Sequence, residues 1–182
     1  MTENDFHSPI IDNFTPIAGF SDYGIDRGGY VVNLVRGTQI SPSVGSKNLK
    51  VSLVDTNGVR RTVSLRRLVA ETYIPNYHPN FWTDVIHLDG NPMNVEYWNL
   101  AWRPRWFAMS HARQFSEKYP NYVYIAPVIA YPRDPDDDLD EIYFPSIDYA
   151  VKKEGLLYKD IINSMRGGPA VYPLGRIFCF AE

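Results

Sequence analysis

The chain has 182 residues, 45% of them apolar and 21% charged, with a formal net charge of −3 and one cysteine, Cys179. That length suffices for one or two domains with real cores, and the composition excludes global disorder. A single cysteine excludes an intrachain disulfide and any zinc site built from several cysteines.

The polar, acidic start, Met1 to Asp12, resembles neither a signal nor a transit peptide. No apolar run approaches the roughly 20 residues that span a bilayer, so a cytoplasmic protein with no membrane partner is expected. Residues 14–75 read as a small β-rich unit. Tyr23-Gly24-Ile25 and Tyr30 to Leu34 flank Asp26-Arg27-Gly28-Gly29, a hairpin turn signal. Leu49 to Val54 alternates, Asp55-Thr56-Asn57-Gly58 turns, and Val59 to Val63 returns. Asn-Gly between alternating strands predicts a hairpin in which both turn positions take φ > 0. Ser64 then caps a helix over Leu65 to Tyr73, closed by Pro75.

Residues 76–120 carry all four tryptophans, Trp82, Trp98, Trp102 and Trp106, expected to fill a small core. The pattern predicts a strand over Asp84 to His87, a loop over Asp89 to Tyr97, a strand over Asn99 to Trp102 and a helix from Arg105 to Tyr119. Residues 121–182 form a third unit. It begins with a strand over Tyr122 to Tyr131, followed by an acidic loop over 134–141. A strand at Glu141 to Phe144, helices to Glu154 and over Tyr158 to Arg166 about Gly155, and a last strand Arg176 to Phe180 complete it. Two short helices about a glycine suggest helix-turn-helix.

Charge is unevenly placed. Arg36 to Lys118 holds eleven Lys/Arg against six Asp/Glu, and Arg36 to Arg67 holds seven bases against the single acid Asp55. A basic middle with acidic flanks fits a DNA-facing surface, or a solvated hairpin face.

The run His87-Leu88-Asp89-Gly90-Asn91, with Asn99-Leu100-Ala101-Trp102 twelve residues after the histidine, resembles the HNH motif of phage and group I intron-encoded homing endonucleases. Phe14 to Phe20 with Tyr23-Gly24-Ile25-Asp26 and Arg67 to Ala70 is similar to the module that precedes this unit in the family. Phe144-Pro145-Ser146-Ile147 and Ala150, leading into a second helix, is similar to the intron-encoded nuclease repeat that follows it. The resemblance covers 14–182. It implies an α+β fold with three parts: a hairpin-rich amino-terminal unit (14–75), an HNH unit of the ββα-metal type (76–120) and a helix-turn-helix module (121–182).

The family's reaction is metal-dependent hydrolysis of a phosphodiester, which needs a base, a cation and a held geometry. The resemblance implies His87 as the base and Asn99 as the residue that orients it. The position before the histidine, usually a metal ligand, is Ile86, and the helical ligand position, nine residues after Asn99, is Ala108. Neither supplies the oxygen that magnesium requires. Asp84, on the same strand face as Ile86, and His111, one turn beyond Ala108, are possible substitutes. Otherwise His87 is structural, and Asp89, Gly90 and Asn91 shape a loop.

Evidence for DNA contact is more direct. Lys159, Asn163 and Arg166 recur on one face of the last helix, opposite Ile161, Ile162 and Met165. Arg60, Arg61, Arg66, Arg67, Arg103 and Arg105 are further candidates for contact with double-stranded DNA. Three functions follow: a nicking endonuclease using Mg2+, a DNA-binding pseudoenzyme with no cofactor, or a protein-binding or structural role for the old surface. The family setting is a phage-infected bacterial cell.

Overall fold

The computed structural model describes residues 13–45, 48–116, 125–134 and 139–181. They form an α+β protein of two compact units, one from Met1–Pro79 and Pro92–Trp102, the other from Asn80–Asn91 and Arg103–Glu182.

The first unit begins with four antiparallel strands in the order β1 (Thr15–Ile17), β2 (Phe20–Ile25), β3 (Val31–Asn33) and β4 (Thr38–Ile40). At the β2–β3 turn, Asp26 Oδ1 accepts from the backbone N–H of Gly28 at 2.9 Å and of Tyr30 at 2.8 Å. A second sheet joins β5 (Ser43–Val44), β6 (Leu49–Val54) and β7 (Arg60–Ser64), with Val51 opposite Val63 and Val54 opposite Arg60. The expected β6–β7 hairpin forms with a different turn. Only Gly58, at φ 78°, is left-handed, and Asn57 is not. Asp55 N donates to Val59 O at 2.8 Å, so the loop is longer than a two-residue turn and needs one left-handed residue. Asp55 Oδ1 accepts from Asn57 N and Val59 N, which fixes that geometry.

Helix α1 spans Leu65–Tyr73, as its periodicity predicts, burying Leu65, Leu68, Val69 and Ala70. Ser64 holds the N-cap position without capping: its hydroxyl is buried with no hydrogen-bond partner among the described residues. A 3-10 turn over Tyr97–Asn99 precedes β9 (Leu100–Arg103), so Asn99 closes a turn instead of opening a strand. Trp102 is core, donating its indole N–H to Ile74 O at 3.0 Å. Trp98 and Trp106 are 60% and 55% exposed, against the expectation that all four tryptophans fill core. Trp98 lies in the 3-10 turn, and Trp106 on the outer side of a helix of the second unit.

The second unit contains β8 (Asp84–His87), α2 (Arg105–Gln114), and an antiparallel sheet in the order β11 (Ile142–Phe144), β10 (Val128–Pro132), β12 (Arg176–Phe180). The predicted α2 ends earlier than expected, at Gln114, and residues 117–119 lie outside the described residues. So do 122–124 of the expected strand and 135–138 of the acidic loop. Helices α3 (Ile147–Glu154) and α4 (Tyr158–Met165) pack on the sheet over Val128, Phe144, Ile147, Val151, Ile161 and Phe178. Each such fully buried apolar side chain stabilises by about 1.5–3 kcal/mol. Ser146 Oγ accepts from Tyr149 N at 3.0 Å, and Gly155, at φ 64°, ends α3 in a left-handed cap.

Candidate functional site

Strand β8 buries Val85, Ile86 and His87, each less than a tenth exposed. After it, Gly90 N donates to His87 O at 2.9 Å and Asn91 N to Asp89 Oδ1 at 2.8 Å. Asp89-Gly90-Asn91 is therefore a loop-shaping turn, and a side chain at Gly90 would strike the Phe115 ring.

The residues on either side of His87, Ile86 and Leu88, are apolar. Ile86 Cδ1 lies 3.2 Å, and Leu88 Cδ2 2.5 Å, from where a Cβ on Gly155 would stand. The Ile86 side chain is thus spent on packing against the α3–α4 turn. Ala108 is half-buried on α2 and supplies no donor atom. Asp84 is half-buried and accepts from Thr83 Oγ1 at 3.0 Å.

His111 is 2% exposed, and its Nε2 has no hydrogen-bond partner among the described residues. Its ring sits in an aromatic row, 6.1 Å from Phe107 and 5.1 Å from Phe115 between centroids. Burial, reinforced by the charges of Arg103 and His87 and opposed by Asp89, lowers its pKa from 6.5 to about 4. The imidazole is therefore neutral at pH 7 and adds no positive charge here. Among the described residues no three His, Cys, Asp or Glu side chains converge to hold an ion. Ile86 and Ala108 supply none of the oxygen ligands that a hard divalent cation asks for.

Asn99 belongs to the first unit. It is 1% exposed and donates from Nδ2 to Asn94 O at 2.9 Å, bracing the loop before the 3-10 turn.

The basic candidates divide by environment. Arg60 and Arg105 are exposed, and Arg66 is half-buried. Arg61 is ion-paired to Asp55 at 2.6 Å, and its hydrogen bond holds the Asp55 carboxyl below the usual carboxylate range. Arg67 is paired with Glu71 at 2.8 Å and lies over the Trp102 ring. Arg103 turns inward, donating to Glu154 O at 3.4 Å, and desolvation lowers its pKa. Lys159, Asn163 and Arg166 are all exposed on α4 or its C-cap, while Ile161 and Ser164 are buried beneath. The structure thus brings these three to one open face, as their spacing implies.

One polar residue escaped the sequence reading. Gln114, on α2, is 8% exposed and bonds the α3–α4 connection twice. The only hint in sequence was negative: Leu157, the residue before α4, cannot cap a helix.

No family model matches the chain. It is 32% identical over 90 residues, half of its length, to an uncharacterized HNH endonuclease of Acanthamoeba polyphaga mimivirus. That alignment spans 27% of the viral protein. The HNH homing endonuclease I-HmuI, in a structure described as DNA binding and cleavage by that enzyme, superposes with a TM-score of 0.51 at 20% identity, covering 92% of this chain and 97% of the other. The fold is thus similar to that of an HNH homing endonuclease. Both likenesses bear out the resemblance to HNH homing endonucleases.

Proposed function

We propose that this is a DNA-binding protein of the HNH homing-endonuclease type whose metal-dependent nicking is impaired. The observation that carries the binding half is the open face of α4. Lys159, Asn163 and Arg166 stand free of the core at helical spacing, the arrangement that presents cation and amide groups to base edges in a major groove. A fold shared with a protein described as binding and cleaving DNA supports duplex DNA as the partner. In this reading residues 14–75 are the nuclease-associated module, 76–120 the HNH unit and 121–182 a helix-turn-helix module. Arg60, Arg61, Arg66, Arg67 and Arg105 serve as phosphate contacts, which position without reading sequence.

The impairment rests on Ile86 and Ala108. Magnesium, the cation such chemistry uses, would neutralise charge developing on the phosphate. Here the position before His87 is packed against Gly155, and the nearby histidine is neutral. In this reading His87 is the base that the chain retains. No helix among the described residues is long and apolar enough to cross a membrane.

Incubation of supercoiled plasmid with magnesium or manganese, beside a gel shift without metal, tests both halves. Salt-sensitive duplex binding with negligible nicking is expected. Robust nicking abolished by His87→Ala would overturn the impairment, with Asp84 or His111 as the substitute ligand. Absence of binding even at low salt would leave a partner protein on the old surface as the leading function.

A further inference from the structure

Helix α4 begins without a cap of its own. Its N-cap residue is Leu157, which has no side-chain acceptor for the free N–H groups of the first turn. The deficit is met from another helix. Gln114 Oε1, at the end of α2, accepts from Tyr158 N at 3.1 Å, and Gln114 Nε2 donates to Leu156 O at 2.9 Å. One side-chain amide thus pairs the donor after Leu157 and the acceptor before it, in a buried setting where an unmet group costs about 1–3 kcal/mol.

Other parts of the unit converge on the same short connection. Ile86 and Leu88 pack where a side chain at Gly155 would stand, and Arg103 donates to Glu154 O. The Tyr158 hydroxyl bonds to Asp148, which also pairs with Lys152, fastening α4 to α3. Residues 154–158 are therefore held by β8, by Arg103 and by α2, and Gln114 holds them with two directional bonds.

Lys159 follows the clamped Tyr158 directly, and Asn163 and Arg166 lie one and two turns beyond. Displacement at the start of an eight-residue helix moves all three. Hydrogen bonds to base edges weaken steeply with misalignment, whereas long basic side chains reach phosphates over a range of positions.

We propose that Gln114 is a positioning residue for DNA recognition: its amide holds the start of α4 and so sets where Lys159, Asn163 and Arg166 meet a duplex. This rests on the reading of α4 as the helix that faces DNA. Gln114 itself need touch no nucleotide.

Three proteins test it: the wild type, Gln114→Met, which keeps length and volume but makes neither bond, and Gln114→Glu, which keeps an acceptor for Tyr158 N and loses the donor for Leu156 O. The full chain is used throughout. A duplex enriched by the wild type from a random pool serves as the specific probe, and an unselected duplex as the random one. Amide exchange at Tyr158 reports the clamp without DNA. Gln114→Met is expected to speed Tyr158 exchange by about tenfold and to lower the specific-to-random affinity ratio by about tenfold, with random-duplex affinity unchanged. Gln114→Glu should fall between it and the wild type in both, and carries the test alone if Gln114→Met does not fold. Released exchange with an unchanged affinity ratio would reduce Gln114 to a structural residue and overturn the proposal. Unchanged Tyr158 exchange would overturn it as well. If the wild type enriches no sequence, the reading of α4 fails first, a result visible before any variant is made.

Discussion

The surroundings of His87 and the outer face of α4 belong to the same unit, and they treat their polar side chains in opposite ways. At β8 the family-like positions are sealed. His87 is buried, Ile86 fills space against Gly155, and His111 is kept neutral within an aromatic row. On α4, Lys159, Asn163 and Arg166 are open to solvent above buried Ile161 and Ser164. The difference teaches how a motif should be weighed. A histidine in the right sequence is a chemical group only if the surrounding side chains let an ion, water and substrate in. A row of exposed groups on a well-packed helix stays open to solvent whatever surrounds the buried histidine.

If the β8 region is a packing site, it should resist alteration more than α4 does. The largest effect is expected from Gly155→Ala. The left-handed φ of 64° penalises any side chain, and the new Cβ would stand 2.5 Å from Leu88 Cδ2. Together these should cost on the order of 2–5 kcal/mol. Urea unfolding measures it, and a loss below about 1 kcal/mol, within the range of ordinary surface changes, would mean that the turn is not held as described.

His111 sharpens the same side of the comparison through pH. Its folded-state pKa, about 4, lies below the ordinary 6.5, so the unfolded chain binds the proton more readily. Stability from this group is present above pH 6.5 and is lost as pH falls toward 4. The full difference is on the order of 3 kcal/mol. The stability gap between His111→Phe and the wild type should therefore shift in favour of the variant between pH 7 and pH 4.5. A gap independent of pH would show that His111 titrates as an exposed histidine, and that the site is open.

On the α4 side the effects should fall on binding and leave folding alone. Asn163→Ala should cost about 1–3 kcal/mol on a preferred duplex and little on random DNA. Arg60→Ala with Arg61→Ala should weaken all duplexes alike and flatten the salt dependence by up to about two charges. Competition binding at several salt concentrations separates the two patterns. Equal losses on specific and random duplexes for Asn163→Ala would remove base reading from α4.

The local elements were legible because their causes are local. Alternation over Leu49–Val54, the periodicity of Leu65–Tyr73 and the Ser146 cap act within a few residues, so these elements could be placed from the chain alone, whereas the short strands β1, β4 and β5 carry no such local signal. The HNH-like spacing of His87 and Asn99, and the absence of oxygen donors at Ile86 and Ala108, were likewise visible as residue identities. So was the common face of Lys159, Asn163 and Arg166, since helical periodicity alone puts them together. What residue identity cannot convey is burial and partnership between segments distant in sequence. Trp98 and Trp106 have the same side chain as Trp102, yet are exposed because their elements turn them outward. Arg103 reads as a DNA-seeking cation and lies inward against the end of α3. Gln114 reads as a surface glutamine in the last turn of a helix. Only the fold, by bringing that helix to the start of α4, 44 residues later, makes it a cap, because hydrogen bonds depend on distances in space that sequence separation does not contain.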